Sequence, residues 1–413
     1  MLVGVAVLAA LVVARAGGPQ HPAYVIPILK MDAPAFVSAM EAYTSSPIVG
    51  ANRVDVLLNG DEIFPAILAA IRSARHSITY AQYFFQDGPV ARDVVAALAE
   101  RCRAGIPVHI LLDGVGTMRM PGASREELQH ASCRVKTYRP LGRLSVVRAN
   151  HRNHRRILVV DGRVGFTGGS GVSEKWMGNG RVPDHWRDTD ARIEGPAVEF
   201  LQAAFVTSWV EVTGEMLGGE AYFASSATSA GTVRAQVVRS SPEEGGDAMY
   251  RLFLLATASA QRSILLTNPY FLPDQALTAM LTQAVARGVR VKVLVPGVVD
   301  HELVRWASRA EFGRMLQAGI EIYEYRAALL HAKTMVVDGL WATVGSTNLD
   351  NRSFALNAEL NLAVYDATVA HRLEQAFEDD LRHATAVHYD AWARRPVKDR
   401  VLEVLTLPVR NLM

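Results

Sequence analysis

The sequence predicts an α/β fold built from two copies of one domain, and three observations lead there. Stretches of helical periodicity alternate with short apolar runs of β character, the pattern of a mixed sheet covered by helices on both faces. The two halves also repeat each other. Ser77-Ile78 matches Ser263-Ile264, Gly105-x-x-Val108-x-Ile110-Leu111 matches Gly288-x-x-Val291-x-Val293-Leu294, Tyr138-Arg139 matches Tyr325-Arg326, and His154 with Asp161-Gly162 matches His331 with Asp338-Gly339. Those offsets are 186, 183, 187 and 177 positions, far beyond the period of a solenoid, so they mark a duplication and not an array. Finally, the small polar stretch Ser225 to Gly231 lies between the copies and is expected to be the linker.

Taken in order, Met1 to Val13 is apolar without interruption. It is short against the roughly 20 residues of a spanning helix, and it lacks the basic start and small-residue cleavage site of a signal peptide. A short or partial membrane anchor is expected, with a buried helix or a misplaced start as alternatives. Gly17 to Ser46 shows no chemistry and is expected to connect. Phe64 to Arg72 has helical spacing and leads to a strand at Ile78 to Phe85; Val94 to Ala104 is helical again before the β-rich Val108 to Leu112. The expected units are therefore an N-terminal segment at 1–50, a first domain at 51–224 and a second at 232–413. Each should hold a mixed sheet, with the site at the pseudo-twofold interface between them. Trp209 and Phe205 sit at helical spacing and are expected in the core.

The chain of 413 residues carries 43 Lys and Arg against 41 Asp and Glu, a net charge of +2. Half of it is hydrophobic, which excludes a disordered chain. A balanced charge does not suit a nucleic-acid coat protein, so no nucleic-acid partner is expected and affinity for anions must come from local clusters. Cys102 and Cys133 are too few for a disulfide framework.

The chemistry lies in the repeated hairpin. In the second half His331-Ala332-Lys333 precedes an apolar run ending at Asp338-Gly339, and Gly345-Ser346-Thr347-Asn348 follows. Asp-Gly is a strong two-residue hairpin signal. Counting outward from it pairs His331 with Ser346, and alternation adds Lys333 and Asn348 to the same face. Imidazole, ammonium, hydroxyl and carboxamide together suit a tetrahedral oxyanion. The first half repeats this with His154, Arg156, Asp161-Gly162 and Gly168-Gly169-Ser170-Gly171. The same count sets Gly169 opposite His154, leaving room for a substrate group. A lone strand histidine is ordinarily structural; two such units with matched glycine spacing point to catalysis on phosphorus, one histidine attacking and the other protonating the leaving oxygen.

These motifs resemble those of the phospholipase D superfamily, His-x-Lys-x4-Asp followed by Gly-Ser/Gly-x-Asn, and within it the bacterial cardiolipin synthases. The resemblance runs from about Asn52 to Leu407 and takes in Asn153, Trp186-Arg187-Asp188, Asn268-Pro269-Tyr270-Phe271, Leu349 to Phe354 and Asn357-x-Glu359. It implies a metal-free ping-pong phosphoryl transfer with no cofactor. His154 would form the phosphohistidine and His331 would act as general acid, with the roles exchangeable. Asp188 would orient His154 and Glu359 would orient His331, as in a hydrolase triad. Arg156, Asp161, Lys333 and Asp338 would complete the catalytic motifs. Arg156 stands where the family has Lys and Gly171 where it has Asn; the first departure exchanges a compact ammonium for a planar fork, and the second removes a donor.

Arg134, Lys136, Arg139, Arg143, Arg148, Arg152, Arg155 and Arg156 occur with no intervening Asp or Glu. They are expected to collect anionic phospholipid headgroups at a membrane surface. The resemblance implies a cell-membrane phosphatidyltransferase with phosphatidylglycerol as donor, for which a monomer can suffice because both motifs lie in one chain. Phospholipase D hydrolysis, a nuclease and a binding protein with a decayed first site are the alternatives.

Overall fold

The computed structural model describes residues 24–140, 150–224, 229–244 and 246–406, so the apolar run at 1–13 lies outside the described residues. The first half runs α1 (Pro34–Thr44), β1 (Val49–Leu58), α2 (Asn59–Ser73), β2 (Ile78–Gln82), α3 (Pro89–Arg103), β3 (Val108–Asp113), α4 (Gly122–His130), β4 (Arg134–Tyr138), β5 (Ile157–Val160), β6 (Val164–Gly168), β7 (Thr189–Glu194) and α5 (Ala197–Thr213). The second runs β8 (Val233–Ser240), α6 (Ala248–Ser259), β9 (Ser263–Thr267), α7 (Gln275–Ala286), β10 (Arg290–Val298), α8 (Glu302–Gln317), β11 (Glu321–Leu329), β12 (Thr334–Val337), β13 (Trp341–Gly345), α9 (Asn351–Ala355), β14 (Glu359–Tyr365), α10 (Ala367–Leu381), β15 (Ala384–Val387), α11 (Tyr389–Ala393) and α12 (Val397–Thr406).

Local chemistry accounts for these elements. In α2, Ile63, Ile67, Ala70 and Ile71 recur every three or four residues and are buried. Pro89 opens α3, where a missing N–H costs nothing, and the Asp366 carboxylate caps α10 by accepting from the N–H groups of Thr368 and Val369. β2, β3 and β5 are buried along their whole length, as expected of strands covered on both faces, and β5 is apolar throughout.

The strand order is β15-β11-β10-β9-β12-β13-β14-β8-β1-β7-β6-β5-β2-β3-β4. Read outward from the β8–β1 seam, seven strands on one side match seven on the other, and β15 is the addition. The two expected sheets are thus one, because β1 pairs with β8 as well as with β7. One apolar cluster draws on both halves, with Ile157, Phe205 and Trp209 packed in the same core as Leu265, Tyr325 and Val336. The segment expected only to connect holds α1, whose Phe36 and Met40 are buried in the core of the second half. Of the expected linker, residues 225–228 lie outside the described residues. The two cysteines, too few for a framework, join as a single disulfide between the end of α3 and the residue before β4.

The Asp-Gly hairpins differ from the expected count by one residue. Val337 pairs with Trp341, not Leu340, and Val160 pairs with Val164. Asp338 and Gly339 are both left-handed (φ 56° and 65°), as are Asp161 and Gly162, but each turn takes in a third residue before pairing resumes. A one-residue slip changes every facing partner, so Val344 lies against Thr334 and Gly345 donates to the Lys333 carbonyl.

Candidate active site

His154 and His331 each lie just before a strand of their hairpin, held there by the opposite half. The His154 N–H donates to the Ala358 carbonyl (2.9 Å) and the His331 N–H to the Arg187 carbonyl (2.7 Å). Ala358 and Arg187 immediately precede Glu359 and Asp188. Each histidine is therefore stitched to the backbone beside a carboxylate of the other half. The pairing expected within halves is corrected accordingly: His154 Nδ1 meets Glu359 Oε1 at 2.8 Å, and His331 Nδ1 meets Asp188 Oδ2 at 2.7 Å. The sequence repeat could not show this crossing, because it depends on how the halves face each other.

Both imidazoles are nearly buried and line a cavity of about 380 Å³ with Tyr83, Trp186, Tyr270, Asn348 and Arg352. The edge of Tyr83 packs on His154 at 4.6 Å between ring centroids, and Trp176 on His331 at 5.2 Å. With Nδ1 committed to a carboxylate, Nε2 of each ring is the nitrogen left for chemistry.

The two pairs are not electrostatically alike. Burial pushes Glu359 up to about 8, only partly offset by the Ser346 hydroxyl and Arg156. Burial also raises Asp188, but His331, Lys333 and the Trp176 indole outweigh it and hold this carboxyl below its ordinary range. Burial and the Arg156 and Lys333 cations push His154 well below 6.5, whereas His331, with Asp188 opposing burial, lies at about 4. Burial brings Lys333 down to about 7. Lys333 Nζ lies 3.1 Å from His331 Nε2 and donates to the His331 carbonyl; Arg156 Nη1 donates to the His154 carbonyl at 2.6 Å. The buried Arg156 Nε–H has no protein partner, a donor suited to an oxyanion.

Several expected site residues act differently. Asp161 and Asp338 are not in the cavity. The Asp338 carboxylate accepts the backbone N–H groups of Gln261, Arg262 and Ser263, and Asp161 those of Arg75, His76 and Ser77, so both tie the hairpin turn to the start of a neighbouring strand. Gly169 leaves no open space: a Cβ there would sit 2.2 Å from Asp188 Oδ1. Ser346 turns to Glu359, to which its hydroxyl donates. Asn348 does line the cavity. In the basic segment, Arg134 pairs with Glu215, Arg139 with Glu211 and Glu243, and Arg152, Arg155 and Arg156 are buried. Arg152, Arg155 and Arg156 are thus withdrawn from the surface and Arg134 and Arg139 are paired with carboxylates, whereas Lys136 is exposed on β4; Arg143 and Arg148 lie outside the described residues.

Residues 67–198 and 254–381 match the family described as cardiolipin synthase, PLD-like (phospholipase D-like) domain. The chain is 35% identical over 360 residues to a cardiolipin synthase of Geobacillus kaustophilus, spanning 86% of this chain and 72% of that protein. It is 34% identical over 352 residues to cardiolipin synthase 2 of Bacillus anthracis (84% and 68%). The chain belongs to the cardiolipin synthase family of the phospholipase D superfamily. Its fold is shared with phosphatidylserine synthase from Haemophilus influenzae, at a TM-score of 0.71 and 13% identity over 92% of this chain and 100% of that one.

Against the cardiolipin synthase motif, the Gly171 departure has a structural cause. A Cβ at Gly171 would lie 2.9 Å from the Trp176 ring, so glycine makes room for the indole. The Trp176 Nε1–H in turn donates to Asp188 Oδ2 at 2.7 Å. The indole thus bears on the carboxylate that meets His331, a contact that no local motif in the sequence signals. Arg156 is accompanied by Asp190, where the second half has Asn361. Asp190 accepts from Ser170 just as Asn361 accepts from Thr347, and Arg156 draws it electrostatically.

Proposed function

We propose that this chain is a membrane-associated phosphatidyltransferase that joins two phosphatidylglycerol molecules into cardiolipin and releases glycerol. The observation carrying the proposal is the crossed pair of imidazole–carboxylate dyads on one cavity, each dyad built from both halves. His154 Nε2 attacks phosphorus, the bond from phosphorus to the glycerol headgroup oxygen breaks, and His331 gives that oxygen its proton. A glycerol hydroxyl of the second lipid then loses its proton to His331 and attacks, breaking the phosphorus–nitrogen bond. Burial and the neighbouring cations keep His154 unprotonated, as a nucleophile must be, and the anionic Asp188 beside His331 favours protonation of that imidazole. Arg156, Lys333 and Asn348 face the phosphoryl oxygens.

Because both dyads come from one chain, a monomer suffices. Anionic phospholipid is the partner and the cell membrane the location, in keeping with the family; among the described residues no helix is long and apolar enough to cross a membrane. The test is to incubate purified full chain with phosphatidylglycerol vesicles and identify products by mass spectrometry. Cardiolipin with equimolar glycerol is expected. Phosphatidic acid with glycerol would make the enzyme a hydrolase, and no lipid product would overturn the proposal.

A further inference from the structure

The C-terminal helix α12 is turned inside out relative to an ordinary surface helix. Its polar Glu403 and Thr406 are buried, while Val397 (72% exposed), Val401 (50%), Val404 (62%) and Leu405 (66%) face outward. At about 100° per residue those four side chains fall within an arc of about 100°. Lys398 lies at one edge of the arc and Arg400 at the other, both exposed, and Asp399 is on the far side. The helix is pinned in this orientation. Arg395 pairs with Glu403 and stacks on Trp392 at 3.6 Å, and the Trp392 indole donates to the Arg309 carbonyl of α8 (3.0 Å). α12 itself packs on α8. The opening of α8 supplies His301 and Val304 to the cavity, with Leu303 55% exposed between them.

From these observations we infer that the outer face of α12 is the surface by which the enzyme seats itself on an anionic phospholipid bilayer, bringing the α8 side of the cavity to the lipid. Apolar side chains flanked on both edges by cations are what an interfacial helix presents: the stripe enters the acyl boundary and the cations meet the headgroups. Scattered exposed apolar residues need no explanation, but a contiguous stripe maintained by burying a glutamate does. The inference rests on the reading that the substrate is a membrane lipid.

Both cysteines of the sequence are in the disulfide, so a cysteine introduced as Val401→Cys can carry an environment-sensitive fluorophore in the full chain, with Glu126→Cys on α4 as the control. Vesicles of phosphatidylglycerol and phosphatidylethanolamine should shift the label at 401 to the blue and expose it to quenching by nitroxide lipids, with no change at 126. Separately, the combined variant Val397→Ser, Val401→Ser, Val404→Ser, Leu405→Gln should lose at least about tenfold in turnover of vesicle phosphatidylglycerol. It should stay within about twofold of wild type on a short-chain, water-dispersed phosphatidylglycerol, which needs no docking.

A label at 401 that responds no more than the control overturns the inference. So does a label already shielded without lipid, with concentration dependence indicating a second copy and its absence indicating a terminal segment of the same chain. If wild type turns over neither lipid form while the 401 label still responds to vesicles, the proposed activity fails and the docking surface stands.

Discussion

Gly169 offers a test of the crossed dyads that touches no titratable group. A methyl added by Gly169→Ala would lie 2.2 Å from Asp188 Oδ1, whereas carbon and oxygen settle at about 3.3–3.6 Å. About 1 Å must be cleared. Asp188 cannot yield freely, because the Trp176 indole holds Oδ2 at 2.7 Å and the Thr189 N–H holds Oδ1 at 2.8 Å. A retreat of that size takes the His331 Nδ1 contact from 2.7 Å beyond hydrogen-bonding range. A misplacement of 1 Å costs on the order of 10²-fold in rate, so kcat for cardiolipin formation should fall about 10²-fold, with about 1–3 kcal/mol of stability lost to overpacking. Gly50→Ala, where a Cβ would meet nothing within 4 Å, is the control. The assay is product formation by mass spectrometry beside a thermal melt, closed into a cycle with Asp188→Ser. If the methyl acts only through Asp188, adding it to Asp188→Ser should change nothing further. A Gly169→Ala enzyme within about threefold of wild type, at a rate where 10² was expected, would refute the assigned geometry.

Four further outcomes follow from the site. His331→Asn should form phosphohistidine on the His154 peptide from a nitrophenyl phosphodiester yet fail on lipid, since general acid help worth about 10²–10⁴-fold is dispensable for a good leaving group; phosphate on the His331 peptide of wild type would exchange the roles. Attack by His154 requires Glu359 as an anion accepting Nδ1–H, so turnover should rise with pH towards about 8. Because this carboxyl is raised on folding, the native state binds the extra proton and wild-type stability should fall between 4.5 and about 8, a window in which Glu359→Gln gains on wild type by denaturant melts. Asp338→Ala should lose roughly 2–4 kcal/mol by stranding three backbone N–H groups, while kcat per folded molecule stays unchanged. Reducing Cys102–Cys133, 31 residues apart, should lower stability by up to about 4 kcal/mol with no change in lipid turnover, since neither cysteine lines the cavity.

What could be read directly from the residues was whatever depends on near neighbours in the chain. The alternation of apolar runs and helical spacing, the duplication, and the two His-x-basic units are local or repeated patterns, and they led to the α/β class and to His154, Arg156 and His331 on one cavity, with Lys333 against His331. Asp161-Gly162 and Asp338-Gly339 marked their turns, but a third residue in each turn shifted the register, a difference of backbone geometry that Asp-Gly alone does not encode.

The choice of partner carboxylate was decided only by the tertiary structure. The family resemblance implied Asp188 for His154 and Glu359 for His331; the β8–β1 seam and the short bridges at Ala358 and Arg187 swap them, because each loop's free N–H is satisfied by the other half. Trp176 likewise enters the site only because Gly171, distant in role and bare of side chain, leaves it room. The sense of α12 escaped the sequence for a related reason: its pattern of valines and charges is amphipathic in either orientation, and the Arg395–Glu403 pair with its neighbours on α8 determines which face is turned to solvent.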